Sequence, residues 1–170
     1  SRGGIKEITE EYNEDEWERL VAPFYYLTSK KAVDEKGQER FCLSRADIMP
    51  QDLFSIMDFS EQQVAFANEF YSQNGEMWIS RLLTGEVDTD NTQFLQATIS
   101  AVERRVNFLR RGQTDIFNSF DPELGEEYNS LLPEIICSLE SGRIITVDTT
   151  LMSELEQFLL TTIITRTLFM

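Results

Sequence analysis

The chain has 170 residues, of which 15 are Lys or Arg and 30 are Asp or Glu, so its formal charge is −15. It contains no histidine and two cysteines, which excludes Ser-His-Asp and Cys-His catalysis, imidazole metal sites and zinc-thiolate clusters. With 41% apolar residues, this length predicts one folded domain, and the negative charge disfavours attraction to nucleic acid or anionic membrane unless the basic residues share one face.

The N-terminal third is acidic at first and then aromatic. A helix around 13–21 followed by an extended stretch fits this pattern, because Pro23 disfavours helical dihedrals at the residue before it. A polar turn at 34–39 precedes a predicted short strand at 40–44. Pro50 then begins a predicted short helix that runs through Met57.

The middle of the chain carries clear helix signals. Ser60-Glu-Gln-Gln63 is a capping-box pattern that opens a helix, and Asn74-Gly75 is expected to end it. A second short helix with Met77 and Trp78 ends at Gly85, which suits a helix C-terminus.

A longer helix is predicted to open at Asp90 with Gln93 and to continue to Arg111. Its apolar residues alternate spacings of four and three, which is the seam expected of a helix packed in a bundle: Leu95, Ile99, Val102, Val106 and Leu109. Pro122 is expected to start another helix, and a further helical segment leads from Leu131 through Pro133 to Gly142.

The last part of the chain has a different texture. Gly142 to Asp148 contains a β-branched run that predicts a strand buried on both faces, and an apolar helix follows from about Leu151 to Met170. One strand cannot form a sheet, so its partners are expected in the N-terminal third or outside this chain. The predicted fold is therefore mainly α, with an uncertain segment at 1–45, a helical bundle at 46–141, and a small α/β element at 142–170.

The two cysteines follow no C-x-x-C spacing. Cys42 and Cys137 both have apolar neighbours, so two reduced, buried thiols are expected. No run of about 20 apolar residues predicts a membrane span. Because the N-terminus lacks an apolar signal core and does not begin with Met, we expect a cytoplasmic protein that is part of a longer polypeptide.

Carboxylate pairs such as Glu126-Glu127 and Glu154-x-Glu156 are numerous, and nothing in the sequence isolates one of them in an apolar setting. Solvated acidic faces are the favoured interpretation, so no catalytic residue, cofactor-binding residue or metal ligand is predicted.

One basic concentration stands out, formed by Arg104, Arg105, Arg110 and Arg111. It could contact DNA phosphates or an acidic neighbouring subunit. The simpler interpretation is that these cations favour the negative end of a helix dipole and pair with Glu103, Asp115 or Asp121. Given the negative charge of the chain, contact with protein is more plausible than contact with DNA.

Two stretches resemble the HerA family of hexameric P-loop ATPases and DNA translocases. From Gly142, a similar order of apolar strand, Asp148, Glu156-Gln157 and an apolar helix ends in Arg166-Thr-Leu-Phe169. Ser44 to Leu83, with Pro50-Gln-Asp-Leu53 and Ser60-Glu-Gln-Gln63, looks like the helical insertion of that family. The resemblance covers roughly residues 40–170.

The resemblance implies a RecA-like ATPase core in a parent protein that forms a hexameric ring, binds ATP with Mg²⁺ and moves double-stranded DNA. Nuclease partners, or effector partners in antiphage defence, are implied too. The chain departs from the family because no G-x-x-x-x-G-K-[ST] occurs, and because no second apolar strand ending in an acidic pair follows Arg166. Asp148 is therefore expected to be structural, and the chain alone is expected to be inactive. A free-standing acidic helical adaptor is the alternative.

Overall fold

A computed structural model describes residues 24–28, 38–40, 42–87, 93–111, 116–117, 120–121, 126–127 and 130–169. The helix predicted around 13–21 lies outside these residues. Seven helices occur in the described part of the chain: α1 (Pro50–Ile56), α2 (Glu61–Asn74), α3 (Trp78–Thr84), α4 (Gln96–Val106), α5 (Phe108–Arg111), α6 (Leu132–Glu140) and α7 (Glu154–Phe169). Short 3-10 helices cover Arg45–Asp47 and Gly75–Met77. The fold is mainly helical, as predicted.

Five short strands accompany the helices: β1 (Phe24–Thr28), β2 (Gln38–Arg40), β3 (Phe120–Asp121), β4 (Glu126–Glu127) and β5 (Ile144–Asp148). Three of them form one sheet in the order β2-β1-β5, with both neighbours parallel to β1. The register pairs Phe24 with Ile144 and Thr28 with Asp148. The partner of β5 thus lies in the N-terminal third, which was one of the two places left open by the sequence.

Local capping signals set the ends of the helices from α1 to α3. At the start of α2, the Ser60 amide donates to Gln63 Oε1 at 3.1 Å, and the Gln63 amide donates to Ser60 Oγ at 3.4 Å. Gly75 and Gly85 follow α2 and α3 with φ of 55° and 77°, a region that glycine adopts without a Cβ clash. The predicted boundaries of these helices are confirmed.

The next helix is shorter than the sequence predicts. It begins at Gln96 instead of Asp90 or Gln93, and the Leu95 carbonyl accepts from the first amides of α4. Leu95 is therefore outside the buried seam, with 70% of its surface exposed, whereas Ile99 is 1% exposed. The remaining seam positions are buried, as expected: Val102, Val106 and Leu109.

The helix predicted from Pro122 is not supported where it can be checked. Residues 122–125 lie outside the described part, but Glu126–Glu127 pairs antiparallel with Phe120–Asp121. A residue in this ladder has extended backbone, so a helix that continues through Glu126 is wrong. The sequence offered Pro122 as a helix start, but Pro is equally suited to a turn between two strands.

Burial of the C-terminal strand and helix is one-sided. Ile145 and Val147 of β5 are partly buried, whereas Ile144 is 54% exposed. In α7, Leu159 and Ile163 pack into the core while Phe158 is 54% exposed. The prediction of a strand buried on both faces is thus wrong, and apolar composition all around α7 does not produce burial all around it.

The first turn of α7 also differs from expectation. The helix begins at Glu154 instead of Leu151, because the Ser153 amide and hydroxyl both donate to Glu156 Oε2 at 2.7 Å. This reciprocal cap places Glu156 in the interior, where it is 1% exposed. The carboxylate of Glu156 is therefore part of a helix cap, and its interpretation as a solvated acidic face was wrong.

A single hydrophobic cluster joins the sheet to the helices. It contains Leu27 of β1, Trp78 of α3 and Leu159 of α7, and the Trp78 indole donates to the Ile48 carbonyl at 2.8 Å. The predicted divisions of the chain at residues 45 and 141 stay predictions. None of the described helices is long and apolar enough to cross a membrane.

The cysteines split between interior and surface. Cys42 is buried, as predicted, but Cys137 is exposed, and neither forms a disulfide. The reason is helical geometry: Leu132 and Ile135 face the core, and Cys137 is two residues further around α6. Apolar sequence neighbours therefore did not predict the burial of this thiol.

Leu95 and Ile99 form a matched pair for testing the boundary of α4. Ile99→Ala should destabilise the fold by about 2–5 kcal/mol, because it leaves a cavity in the core, whereas Leu95→Ala should change stability by less than about 0.5 kcal/mol. Urea unfolding followed by circular dichroism measures both. Equal losses at the two positions would contradict the observed start of α4 and favour the longer predicted seam.

Candidate functional site

An open cleft of about 510 Å³ contains part of the predicted basic patch. Its lining residues come from three elements that meet at one end of the bundle: Met57, Gln63, Ala101, Arg104 and Arg105. Met57 follows α1, Gln63 lies in the first turn of α2, and the other three lie on α4. The cleft therefore combines two guanidinium groups with a polar amide and two apolar side chains.

Arg105 is held in place on one side of the cleft. Its Nε donates to Gln63 Oε1 at 3.2 Å, and its guanidinium carbon lies 5.2 Å from the centroid of the Phe59 ring. The same Gln63 oxygen accepts the Ser60 amide, so the α2 cap fixes the acceptor. The cation–π contact and the hydrogen bond together reduce the freedom of a side chain that is otherwise highly flexible.

Arg104 is exposed and has no ion-pair partner among the residues that the structure describes. Glu103, its predicted partner within the described part, forms no ion pair with it. Asp115 lies outside that part, and so does the side chain of Asp121. Both arginines do lie in the last turn of α4, where cations favour the negative end of the helix dipole.

The other half of the predicted patch can be placed only by its backbone. Arg110 and Arg111 belong to α5, which follows α4 after Asn107. The structure thus brings Arg104 and Arg105 into one cleft, and the grouping of all four arginines stays a prediction.

A second polar constellation lies in the interior and joins the two stretches that carry the family resemblance. Arg166 of α7 forms a bidentate ion pair with Asp52 of α1: Nε to Oδ1 at 2.8 Å and Nη2 to Oδ2 at 3.0 Å. Asp52 is 1% exposed, and its Oδ2 also accepts the Met49 amide at 2.8 Å. Arg166 Nη2 additionally donates to the Asp47 carbonyl at 2.7 Å.

The polar network extends from this ion pair to the segment that precedes α6. Asp47 Oδ2 accepts the Ser44 amide at 2.8 Å and the Ser130 hydroxyl. The Ser130 hydroxyl oxygen in turn accepts the Leu132 amide at 3.2 Å, in the first turn of α6. The network therefore connects the 3-10 helix at Arg45–Asp47 with α1, α6 and α7.

Sequence reasoning quoted Asp52 and Arg166 only as letters of a family pattern and assigned neither a partner. A signal was available, because Arg166 stands alone among apolar and hydroxyl side chains in α7. Charged side chains are almost never buried unless they are paired, so such an arginine predicts a carboxylate opposite it. Which carboxylate it meets could not be read from the sequence, since the two residues are 114 positions apart.

Asp148 lies at the carboxyl end of β5 and has the structural role that was expected. Its Oδ1 accepts the Thr150 amide at 3.0 Å and also the Thr150 hydroxyl, which forms the turn that leads toward α7. Within the described residues, no group of three or more Cys, Asp or Glu side chains is arranged to hold a metal ion.

No family model matches this chain, and neither curated protein sequences nor solved structures give a significant match.

The ion pair between Asp52 and Arg166 should contribute strongly to stability. Arg166→Met should cost about 3–5 kcal/mol, because the substitution leaves the Asp52 carboxylate in the interior without its counter-charge. Chemical denaturation of the purified variants measures the loss. Arg143→Met is the matched control, since Arg143 is exposed, and it should cost less than about 0.5 kcal/mol. A similarly small loss for both variants would contradict a structural role of the ion pair.

Proposed function

We propose that this chain is the helical insertion and an adjoining part of the RecA-like core of a HerA-like ATP-dependent DNA translocase. The observation that carries the proposal is the bidentate contact between Asp52 and Arg166. Asp52 belongs to Pro50-Gln-Asp-Leu53, and Arg166 begins Arg166-Thr-Leu-Phe169. Two distant stretches that resemble the same family are thus in direct, buried contact.

The sheet supports the same proposal. RecA-like cores contain parallel strands joined by long crossovers, and β1 and β5 are parallel with most of the helices between them in sequence. The order of elements also agrees with the resemblance, in which a helical insertion precedes this strand. Three parallel strands are a feature of many α/β proteins, so the sheet has less weight than the contact between the two motif stretches.

In this proposal the parent protein forms a hexameric ring, binds ATP with Mg²⁺ and moves double-stranded DNA through its channel. Nucleases in DNA end processing, or effectors in antiphage defence, are its proposed partners. The present chain would support the ring and present a surface to those partners. It would not catalyse hydrolysis, because the sequence has no glycine-rich loop with the lysine that holds the phosphates.

The flanking coding sequence tests the proposal directly. A P-loop encoded upstream and an apolar strand ending in acidic residues encoded downstream are expected, and the protein expressed with both should hydrolyse ATP. Flanking sequence without either motif would contradict the translocase and favour the alternative, an acidic helical adaptor. The arginine-lined cleft is the observation that favours that alternative, since it offers a surface for a protein partner.

The 170-residue chain by itself should not bind Mg-ATP measurably. Phosphate binding needs several backbone donors arranged around the phosphates together with a lysine, and neither Gly3-Gly4 nor the arginine cleft supplies that arrangement. Isothermal titration calorimetry with Mg-ATP measures this. Saturable binding at micromolar concentrations would show that the chain holds a nucleotide site of a different kind.

Duplex DNA should bind weakly or not at all to the isolated chain at physiological salt. Neutralisation of phosphates supplies most non-specific affinity, and the formal charge of the chain is −15. A fluorescence anisotropy titration at several salt concentrations measures the affinity. Binding that is lost when Arg104, Arg105, Arg110 and Arg111 are all replaced by Ala would contradict this prediction and make the patch a DNA site.

A further inference from the structure

We propose that the cleft between α1, α2 and α4 binds an acidic segment of a partner protein, whose carboxylate pairs with Arg104 and Arg105 and whose apolar side chain packs on Met57 and Ala101. The inference rests on the contacts of the cleft alone. It holds whether the chain belongs to a translocase or to an adaptor, so its test is independent of the proposed function.

The charges of the cleft determine the sign of the partner. Asp and Glu outnumber Lys and Arg by 30 to 15 in the chain, yet the cleft is lined by two arginines and by no carboxylate. Asp58 and Glu61 are close to the cleft in sequence, and both are exposed, but neither forms an ion pair with Arg104 or Arg105. Two cations that this acidic chain leaves without a carboxylate partner are complementary to an acidic ligand.

The two arginines differ in how ready they are to bind. Arg105 uses its Nε–H for Gln63, and no described residue accepts a hydrogen bond from its two terminal nitrogens. A guanidinium that is already oriented loses less side-chain entropy when it receives a carboxylate. Arg104 has more freedom, because it is exposed and has no described partner, so it can adjust to the ligand.

Apolar surface in the same cleft favours a protein segment over a nucleic acid. Met57 adapts its shape to different side chains, and Ala101 leaves room beside it on α4. A phosphate backbone would use the arginines but would gain nothing from this surface, and it would meet the negative potential of the whole chain. A peptide that carries Asp or Glu beside a Leu, Met or Phe uses both parts.

Selection from a phage-displayed library of random peptides tests the proposal with the intact chain as the target. Peptides enriched on the wild type should share an acidic residue next to an apolar one. A synthetic peptide of the enriched sequence is then titrated into the wild type, the Arg104→Glu variant and the Arg143→Glu variant. Arg143 is exposed and does not line the cleft, so its variant has the same change in net charge.

The proposal predicts that Arg104→Glu weakens peptide binding at least about tenfold, because an attractive pair becomes a repulsive one, and that Arg143→Glu changes the affinity less than about twofold. The circular dichroism spectra and unfolding midpoints of both variants should match the wild type, since both positions are exposed. Equal weakening by the two variants would show only a general charge effect and would overturn the proposal. Enrichment of peptides without acidic residues, or no enrichment at all, would overturn it as well.

Discussion

The buried ion pair between Asp52 and Arg166 is the constraint on which the arrangement of the elements depends. Removing both charges from water costs several kcal/mol per ion, and the cost is offset only when the geometry is good and the remaining donors and acceptors are satisfied. Here the pair is bidentate, Asp52 also accepts the Met49 amide, and Arg166 also donates to the Asp47 carbonyl. Because these partners occupy fixed positions, α1 can pack against α7 in essentially one way.

Apolar packing and the sheet then extend this arrangement. Leu27 of β1 and Leu159 of α7 belong to one cluster with Trp78, whose indole donates to the backbone just before α1. The hydrophobic effect has no direction, so it drives the collapse without choosing between similar packings. Directional polar contacts in the interior select one of them, which explains why an otherwise apolar interface between helices contains a charged network.

The features that could be predicted from the sequence are those whose causes are local. The Ser60 cap and the glycines after α2 and α3 act within a few residues, and the predicted boundaries there agree with the structure. Exposure of Leu95 and Cys137 depends on what packs against them from elsewhere in the chain, so periodicity and neighbours were insufficient. The candidate site divides in the same way: adjacency in sequence identified Arg104 and Arg105, but their contacts with Gln63 and Phe59 come from a distant helix and loop.

The strand register has a consequence for how the chain folds during synthesis. β1 is the central strand of its sheet, yet one of its two neighbours, β5, pairs Ile144 with Phe24 and so leaves the ribosome long after it. The helices α1 to α4 are made in the interval and close only short loops, which is entropically cheaper than closing the long one. Until β5 arrives, the edge of β1 that it covers is open to pairing with other chains, as any uncovered strand edge is. Delayed completion of this sheet is therefore the step at which a nascent chain is most exposed to aggregation.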